Sequence, residues 1–294
     1  MKKVVSILLI AILAISLAAC GNAGGDPDKL VMGFVPSQES DTIASTVEPL
    51  AKKLSEELGI EVEGKVMTNY TALVEAMGTN EVHIGFIPAF AYVLANEKHG
   101  VEVILKSERY GAAEYRAQYV VRADSGIESL EDMKGKIWAI PDLASTSGFL
   151  FPAAQIMDEF GVEDPQTGFF GETVQTGGHD NAAIAVYNGD ADVATTFEDV
   201  RKNLEKEYPD VMDKLKVVEY TDYIPNDTIS VTEELSDELV DKIRSTFLGF
   251  NEDEEMIAIM NEVYTWDAIR EAQDSEYQIV RDTYNKFKDT ITLD

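Results

Sequence analysis

Three hydroxyl side chains follow one another directly before Gly148: Ser145, Thr146 and Ser147. The apolar run at 136–140 predicts a strand and the pattern at 149–160 predicts a helix, so the hydroxyls fall where a helix begins. The first N–H groups of a helix have no intrahelical partner, and the helix dipole makes that end partly positive. A single serine at this place would be interpreted as a helix cap. Because a cap needs only one hydroxyl, three in a row favour a cradle for an anion.

A second candidate for anion binding is His179, which stands between Gly177-Gly178 and a helix predicted to begin near Asp180. Backbone N–H groups exposed by paired glycines can form an anion nest. A neutral imidazole donates one hydrogen bond, and a charged imidazole gives a stronger, charge-assisted bond. Without its glycine neighbours, this histidine would be interpreted as a solvated loop residue.

The serine loop reads Ser-Thr-Ser-Gly-Phe-Leu-x-Pro and resembles the ligand loop of the PhnD-like substrate-binding proteins of phosphonate, phosphite and phosphate ABC transporters. Three further segments match the motifs of this family in the same order: Asn69 to Met77, Gly178 to Ala183, and Asp192 to Thr195. The resemblance extends from about Lys29 to about Asp227 and is weaker in the C-terminal helices. It implies a type II periplasmic-binding-protein fold, in which two α/β lobes close on a ligand.

The resemblance also implies a set of ligand-binding residues. It places the phosphorus oxyanion against Tyr70, Tyr115, Ser145, Thr146, Ser147 and His179. It places two acids, Asp199 and Asp227, where some relatives hold the amino end of the ligand. From the residues alone, both tyrosines would be core residues, Asp199 a helix cap and Asp227 a turn residue. Glu198 is the alternative to Asp199 if the register differs by one.

The elements that must position these residues alternate between strand and helix along the chain. Such alternation predicts mainly parallel sheets that are flanked by helices. We expect a first lobe from residues 29–121 and 224–294, and a second lobe from residues 122–223. The chain would then cross between the lobes near Val121 and near Tyr223.

The N-terminus has the features of an export signal. Lys2 and Lys3 precede an apolar run at 4–19, which is short for a membrane-spanning helix. The run ends in Leu-Ala-Ala-Cys-Gly and resembles a bacterial lipobox, which implies lipidation of Cys20 after removal of residues 1–19. An ordinary signal peptide with a stray cysteine is the alternative. Residues 20–28 would form a flexible tether, and because Cys20 is the only cysteine, no intrachain disulfide can form.

The composition predicts a soluble body of two lobes that repels polyanions. The chain has 45% hydrophobic residues and a formal net charge of −30, which becomes −32 when Lys2 and Lys3 are removed with the signal. This charge argues against nucleic acid and anionic lipid as partners. Salt screens exposed charges over roughly 8–10 Å, so a local group of donors can still bind an anion.

The sequence lacks the motifs of the common catalytic sites. It contains no H-E-x-x-H, C-x-x-C, G-x-S-x-G or Walker phosphate loop, and its three histidines stand in unrelated surroundings. A serine nucleophile would need a base and an orienting acid, and only folding could bring His179 to Ser145. The acidic run at 252–255 is interpreted as a solvated helix start and not as a metal site. We therefore expect neither an enzyme nor a cofactor or metal.

Together these features predict a lipid-anchored, monomeric substrate-binding protein of an ABC importer. It would lie on the outer face of the bacterial cytoplasmic membrane, capture a small phosphorus oxyanion by lobe closure, and deliver it to the permease and ATPase. The alternatives are a phosphoryl-group hydrolase and a ligand-binding receptor for a membrane sensor kinase. The sequence leaves open whether phosphate, phosphite or a phosphonate is preferred.

Overall fold

A six-stranded sheet forms the framework of the first lobe in the computed structural model, which describes residues 26–38, 40–286 and 288–290. Its order is β11-β4-β10-β3-β1-β2. The strands are β1 (Lys29–Phe34), β2 (Glu61–Val66), β3 (Ile84–Ile87), β4 (Glu102–Glu108), β10 (Thr228–Val231) and β11 (Ala268–Glu271). Strands β1 to β4 run in one direction, and β10 and β11 run in the other. Strands β1 and β3 are buried along nearly their whole length, which explains their continuous apolar sequence.

A five-stranded sheet of order β7-β6-β8-β5-β9 forms the framework of the second lobe. The strands are β5 (Glu114–Arg122), β6 (Ile137–Ile140), β7 (Glu172–Gln175), β8 (Val193–Phe197) and β9 (Leu215–Pro225). Four of them run in one direction, and only β5 runs in the other. The prediction of two α/β lobes is therefore confirmed, and both sheets are mixed, because four of the nine strand pairings among the described residues are parallel and five are antiparallel.

Helices cover both sheets. In chain order they are α1 (Ser40–Leu58), α2 (Tyr70–Gly78), α3 (Ala89–His99), α4 (Phe151–Phe160), α5 (Pro165–Gly168), α6 (His179–Asn188), α7 (Val200–Leu204), α8 (Val211–Lys214), α9 (Asp237–Gly249), α10 (Glu254–Tyr264) and α11 (Gln278–Asn285). Helices α9 and α10 pack on α1, and α11 packs on α3, so the C-terminal helices join the first lobe. Within the described residues, none of the helices has both the length and the apolar character that a membrane span needs.

The boundary between the lobes differs from the predicted one at its first crossing. Strand β5 pairs with β8 and β9 in the second sheet, so the expectation that the first lobe extends to Val121 is wrong. The chain leaves the first sheet after β4 and crosses at 109–113, and it returns at 226–227. The second crossing lies close to its predicted position near Tyr223.

The predicted signal at 1–19 and most of the tether lie outside the described residues, including Cys20. The end of the tether contacts the body, because the carboxylate of Asp26 accepts hydrogen bonds from the backbone N and the hydroxyl of Ser236, at 2.8 and 2.7 Å.

Close packing between β1 and α2 fixes the first residue of α2 beside the cleft. A Cβ atom on Gly33 in β1 would lie 2.3 Å from Cδ1 of Leu73 and 2.8 Å from Cγ1 of Val82. We expect Gly33→Ala to lower the free energy of unfolding by about 1–3 kcal/mol, because an added methyl group overpacks this contact. Urea denaturation followed by circular dichroism measures the change.

The matched control is Gly249→Ala at the end of α9, where an added Cβ meets no atom within 4 Å. The control should leave stability unchanged or slightly higher, since alanine favours a helix more than glycine does. Equal effects of the two substitutions would contradict the packing argument.

Candidate functional site

The serine loop begins as a widened helical turn. The hydroxyl of Ser145 accepts a hydrogen bond from the backbone N of Gly148 at 3.0 Å, so Ser145 is the cap of this turn. Its carbonyl oxygen accepts from the N–H groups of Phe149 and Leu150, at 3.1 and 3.0 Å. The N–H groups of Thr146 and Ser147 precede these first intrahelical donors and therefore have no acceptor within the helix.

The loop is held against the core of the second lobe. Trp138 donates from Nε1 to the hydroxyl of Thr195 at 2.8 Å, and the hydroxyl of Thr195 donates to the carbonyl oxygen of Gly148. A side chain at Gly148 would collide with the ring of Pro141, whose Cγ atom would lie 2.1 Å from the added Cβ. The close approach of Pro141 thus requires a glycine at position 148. Trp138 holds the loop in place through the hydroxyl of Thr195.

A small cavity lies between the serine loop and the first lobe. The volume of this cavity is about 20 Å³. Six of the eight predicted ligand-binding residues line the cavity: Tyr70, Tyr115, Ser145, Ser147, His179 and Asp227. The first lobe adds Ser37, Gln38 and Tyr264, which the sequence analysis did not identify. The direct role of each residue in ligand binding stays a prediction.

Thr146 is directed elsewhere than its two neighbours. Its side chain is fully buried, and Oγ1 accepts a hydrogen bond from the backbone N of Phe90 in the first lobe at 2.9 Å. Phe90 is the second residue of α3, where backbone N–H groups lack intrahelical acceptors. The middle hydroxyl of the loop therefore caps a helix of the opposite lobe instead of lining the cavity.

Asp199 is not at the cavity, and neither is its alternative. The carboxylate of Asp199 forms an ion pair with Lys202 at 2.9 Å, and Glu198 pairs with Arg116 at 2.7 Å. The cavity wall at this place is Phe197, the last residue of β8. The structure thus places Asp199 outside this cavity, because β8 ends at Phe197 and the carboxylate two residues later pairs with Lys202.

Burial keeps two phenols of the cavity protonated. Desolvation raises the pKa of Tyr70 well above its usual value, and desolvation likewise raises the pKa of Tyr115. Among the described residues, the hydroxyl of Tyr70 has no hydrogen-bond partner. A third phenol, that of Tyr264, donates to the carbonyl oxygen of Val35 at 2.8 Å. The Tyr70 hydroxyl is therefore a donor that a ligand could satisfy.

His179 is neutral in this site. Burial lowers its pKa to about 3, and the charge of Arg109 lowers it further in the same direction. Its Nδ1 atom accepts a hydrogen bond from the backbone N of Phe197 at 3.3 Å, which leaves the proton on Nε2. The Nε2 atom lies 3.4 Å from the hydroxyl oxygen of Ser145. The imidazole is thus a hydrogen-bond donor toward the cavity.

The paired glycines before His179 do not form the expected anion nest. The N–H of Gly177 donates to the carbonyl oxygen of Pro141 at 2.9 Å, and that of His179 donates to the carbonyl oxygen of Ser37 at 2.9 Å. A Cβ atom on Gly178 would lie 3.1 Å from the carbonyl oxygen of Pro36. The absence of side chains here lets the lobes approach each other closely.

An ion pair that the sequence did not predict completes the cavity. Arg109 and Asp227 both line it, and the guanidinium donates to the carboxylate of Asp227. Arg109 is 8% exposed, and its guanidinium carbon lies 5.7 Å from the ring centres of Tyr115 and of Phe197. The two charges stand 118 residues apart in sequence, one on each crossing segment. No local pattern marks such a pair.

The cavity can therefore bind a small oxyanion through donors of both lobes. The second lobe contributes Ser145, Ser147 and the Nε2–H of His179, and the first lobe contributes the phenol of Tyr70. One guanidinium supplies positive charge. No group of His, Cys, Asp and Glu side chains suited to a metal ion occurs in the described part of the chain.

Comparison with known proteins agrees with this geometry. A family model described as the periplasmic substrate-binding protein of phosphonate ABC transporters matches residues 32–277. The phosphate-import protein PhnD of Mycolicibacterium smegmatis is 30% identical over 234 residues, which cover 76% of this chain and 73% of that protein. The phosphonates-binding periplasmic protein of Escherichia coli is 24% identical over 286 residues, which cover 95% and 83%.

A solved structure shows the same architecture. It is the binding-protein component of an ABC phosphonate transporter from Pseudomonas aeruginosa, which is 26% identical to this chain. The TM-score is 0.79, and the match covers 87% of this chain and 85% of that one. The expected type II periplasmic-binding-protein fold is thereby confirmed. The chain belongs to the family of periplasmic substrate-binding proteins that serve phosphonate ABC transporters.

Proposed function

We propose that this protein captures a small phosphorus oxyanion in the cavity between its lobes and delivers it to the permease and ATPase of an ABC importer. The observation that carries the proposal is the cavity itself, which is lined by hydroxyl, phenol and imidazole donors of both lobes and by the guanidinium of Arg109 beside Asp227. Charge-assisted hydrogen bonds from such groups are about twice as strong as neutral ones. An oxyanion can accept several of them at once.

The mechanism is binding that stabilises closure. Three hydrogen bonds from backbone N–H groups already connect the lobes. Tyr70 donates to the carboxylate of Asp142 at 3.3 Å, and Phe90 donates to the hydroxyl of Thr146 at 2.9 Å. His179 donates to the carbonyl oxygen of Ser37 at 2.9 Å. A ligand that contacts Tyr70 on one side and Ser147 on the other adds contacts that an open cleft lacks. By that difference in contacts it shifts the protein toward the closed form.

A hydrolase is disfavoured by the state of the histidine. A serine nucleophile needs a neighbouring imidazole nitrogen that can accept its proton. Although Nε2 of His179 lies 3.4 Å from the hydroxyl of Ser145, Nδ1 accepts from Phe197, so Nε2 carries the proton. A pKa of about 3 also makes this imidazole a weak base. The pair can donate hydrogen bonds to a ligand and lacks an acceptor for a proton.

The proposal includes a monomer anchored by lipid on the outer face of the cytoplasmic membrane. One chain supplies both walls of the cavity, so the site needs no second copy. The lipobox-like sequence at 17–21 supports lipidation of Cys20. The contact of Asp26 with Ser236 holds the C-terminal end of the tether against the body.

The first test concerns the serine loop. We expect Ser147→Ala to weaken binding of inorganic phosphate about tenfold or more, since a hydrogen bond to a charged group contributes about 1.5–3 kcal/mol and 1.4 kcal/mol is one decade. Isothermal titration calorimetry measures the affinity. Ser275→Ala, at an exposed position, is the control and should bind like wild type. Equal affinities of all three proteins would exclude the hydroxyl of Ser147 from phosphate binding.

The second test uses the buried histidine. Because the folded-state pKa of about 3 lies below the unfolded value of 6.5, only the unfolded chain binds the proton between these pH values. The stability of the ligand-free protein should therefore fall as pH falls through this window, with a contribution from His179 of up to about 1.4 kcal/mol per pH unit. Urea denaturation of wild type and His179→Gln between pH 4 and 8 measures the difference. Parallel stability curves would mean that His179 is not held neutral by burial.

The third test concerns the anchor. In cells, wild-type protein should sediment with membranes and begin at Cys20, because acyl chains on this residue bury many methylene groups in the bilayer. Cys20→Ser should release the protein or leave its signal uncleaved. Membrane fractionation with mass spectrometry of the N-terminus gives the result. A fully soluble wild type with another N-terminus would contradict lipidation.

A further inference from the structure

We infer that Arg109 is a specificity-determining residue that restricts the cavity to small oxyanions without a cationic substituent. This inference rests on the proposed function and adds a class of ligand to it. Its basis is the position of Arg109, which pairs with Asp227 and also forms part of the cavity wall.

The first argument is electrostatic. The side chain of Asp227 is 16% exposed, and alone it would place a mostly buried negative charge beside the ligand. Such a charge repels a dianion and attracts an ammonium group. The guanidinium of Arg109 compensates it, so the carboxylate offers little to the cationic end of an aminoalkylphosphonate. Removing one partner of a buried pair leaves the charge of the other uncompensated. The effect of Asp227 on a ligand therefore depends on whether Arg109 is present.

The second argument concerns the unused donor of the same guanidinium. Arg109 is 8% exposed, and its Nε atom has no hydrogen-bond partner among the described residues. Buried N–H groups nearly always have an acceptor. An oxyanion in the cavity would supply one, while the terminal nitrogen stays with Asp227. Arg109 can thus donate to the carboxylate of Asp227 and to a bound oxyanion at the same time.

The third argument is steric. Arg109, Tyr115 and Phe197 line the inner cavity on one side and an outer cleft of about 410 Å³ on the other. These three side chains therefore separate the small cavity from space where a substituent on phosphorus could lie. Phe197, which stands where an acid was predicted, has no acceptor for an ammonium group. These side chains exclude a large substituent on phosphorus by their bulk. The positive charge of Arg109 further disfavours a cationic substituent.

Calorimetric titration of the full chain in detergent tests the inference, with inorganic phosphate and 2-aminoethylphosphonate as probes. Wild type should bind phosphate at least a hundredfold more tightly than 2-aminoethylphosphonate. Arg109→Gln should weaken phosphate at least thirtyfold and bring the two affinities together or reverse their order. Asp227→Asn should keep phosphate binding at least as strong as in wild type and still exclude 2-aminoethylphosphonate. Lys202→Gln, at an exposed ion pair beside the outer cleft, is the control and should change neither affinity.

The double variant Arg109→Gln/Asp227→Asn removes both charges with nearly the same shape, and it keeps the test informative if the single glutamine variant does not fold. Its preference for phosphate should be smaller than that of wild type. Affinities of wild type for the two probes within threefold would overturn the inference, and so would an unchanged affinity ratio in whichever of the two Arg109→Gln variants, single or double, folds. Failure of the proposed function has a different signature, since wild type would then bind no phosphate, phosphite, methylphosphonate or 2-aminoethylphosphonate.

Discussion

Three helices begin at the cleft, and the backbone N–H groups of their first turns need acceptors that the helices themselves do not provide. In the closed protein the opposite lobe provides them. Asp142 accepts from Tyr70 at the start of α2, and Thr146 accepts from Phe90 at the start of α3. In return, the carbonyl oxygen of Ser37 accepts from the first residue of α6. Closure therefore satisfies buried polar groups, and residues at the starts of these helices, Tyr70, Pro88 and His179, line one small cavity.

This arrangement reconciles an acidic body with an anion site. The formal net charge of −30 repels anions at a distance, but salt screens exposed charges over roughly 8–10 Å. Inside the cavity, neutral donors and the ion pair of Arg109 with Asp227 determine the local potential. The donors stay neutral because burial raises the pKa of Tyr70 and lowers that of His179. An acidic surface and an anion-binding interior are thus compatible, since burial sets the protonation state of each interior group separately.

The part of the site that follows from sequence is the part encoded by local spacing. The serine loop and the histidine at the start of α6 each lie beside a helix start that the pattern shows, whereas the tyrosine at the start of α2 was predicted only through the family resemblance. Arg109 and Phe197 were missed for different reasons. The arginine acts through a partner on the other crossing segment, so no local pattern could indicate it. Phe197 was missed because the family resemblance indicated an acid after this strand, Asp199 or Glu198, and an apolar residue beside a strand is otherwise interpreted as part of the core. Strand β5 was assigned to the first lobe because the sequence of a strand does not show which sheet it joins.

The two charges of the cavity lie in the hinge, and this position gives them a role distinct from that of the serine loop. Asn226, beside Asp227, donates from its side chain to the carbonyl oxygens of Ser107 and Ala112, at 3.0 and 2.8 Å. The N–H of Ser107 also donates to the carbonyl oxygen of Asp227 at 2.9 Å. The two crossing segments are thus braced to each other near Arg109, so a hinge motion that separates the lobes need not break the ion pair. The charge is therefore organised before closure, whereas the hydroxyl donors of the opposite lobe arrive with it. The ion pair therefore does not require the two cavity walls to meet, whereas the hydrogen bonds from the three helix starts to the opposite lobe form only when they do.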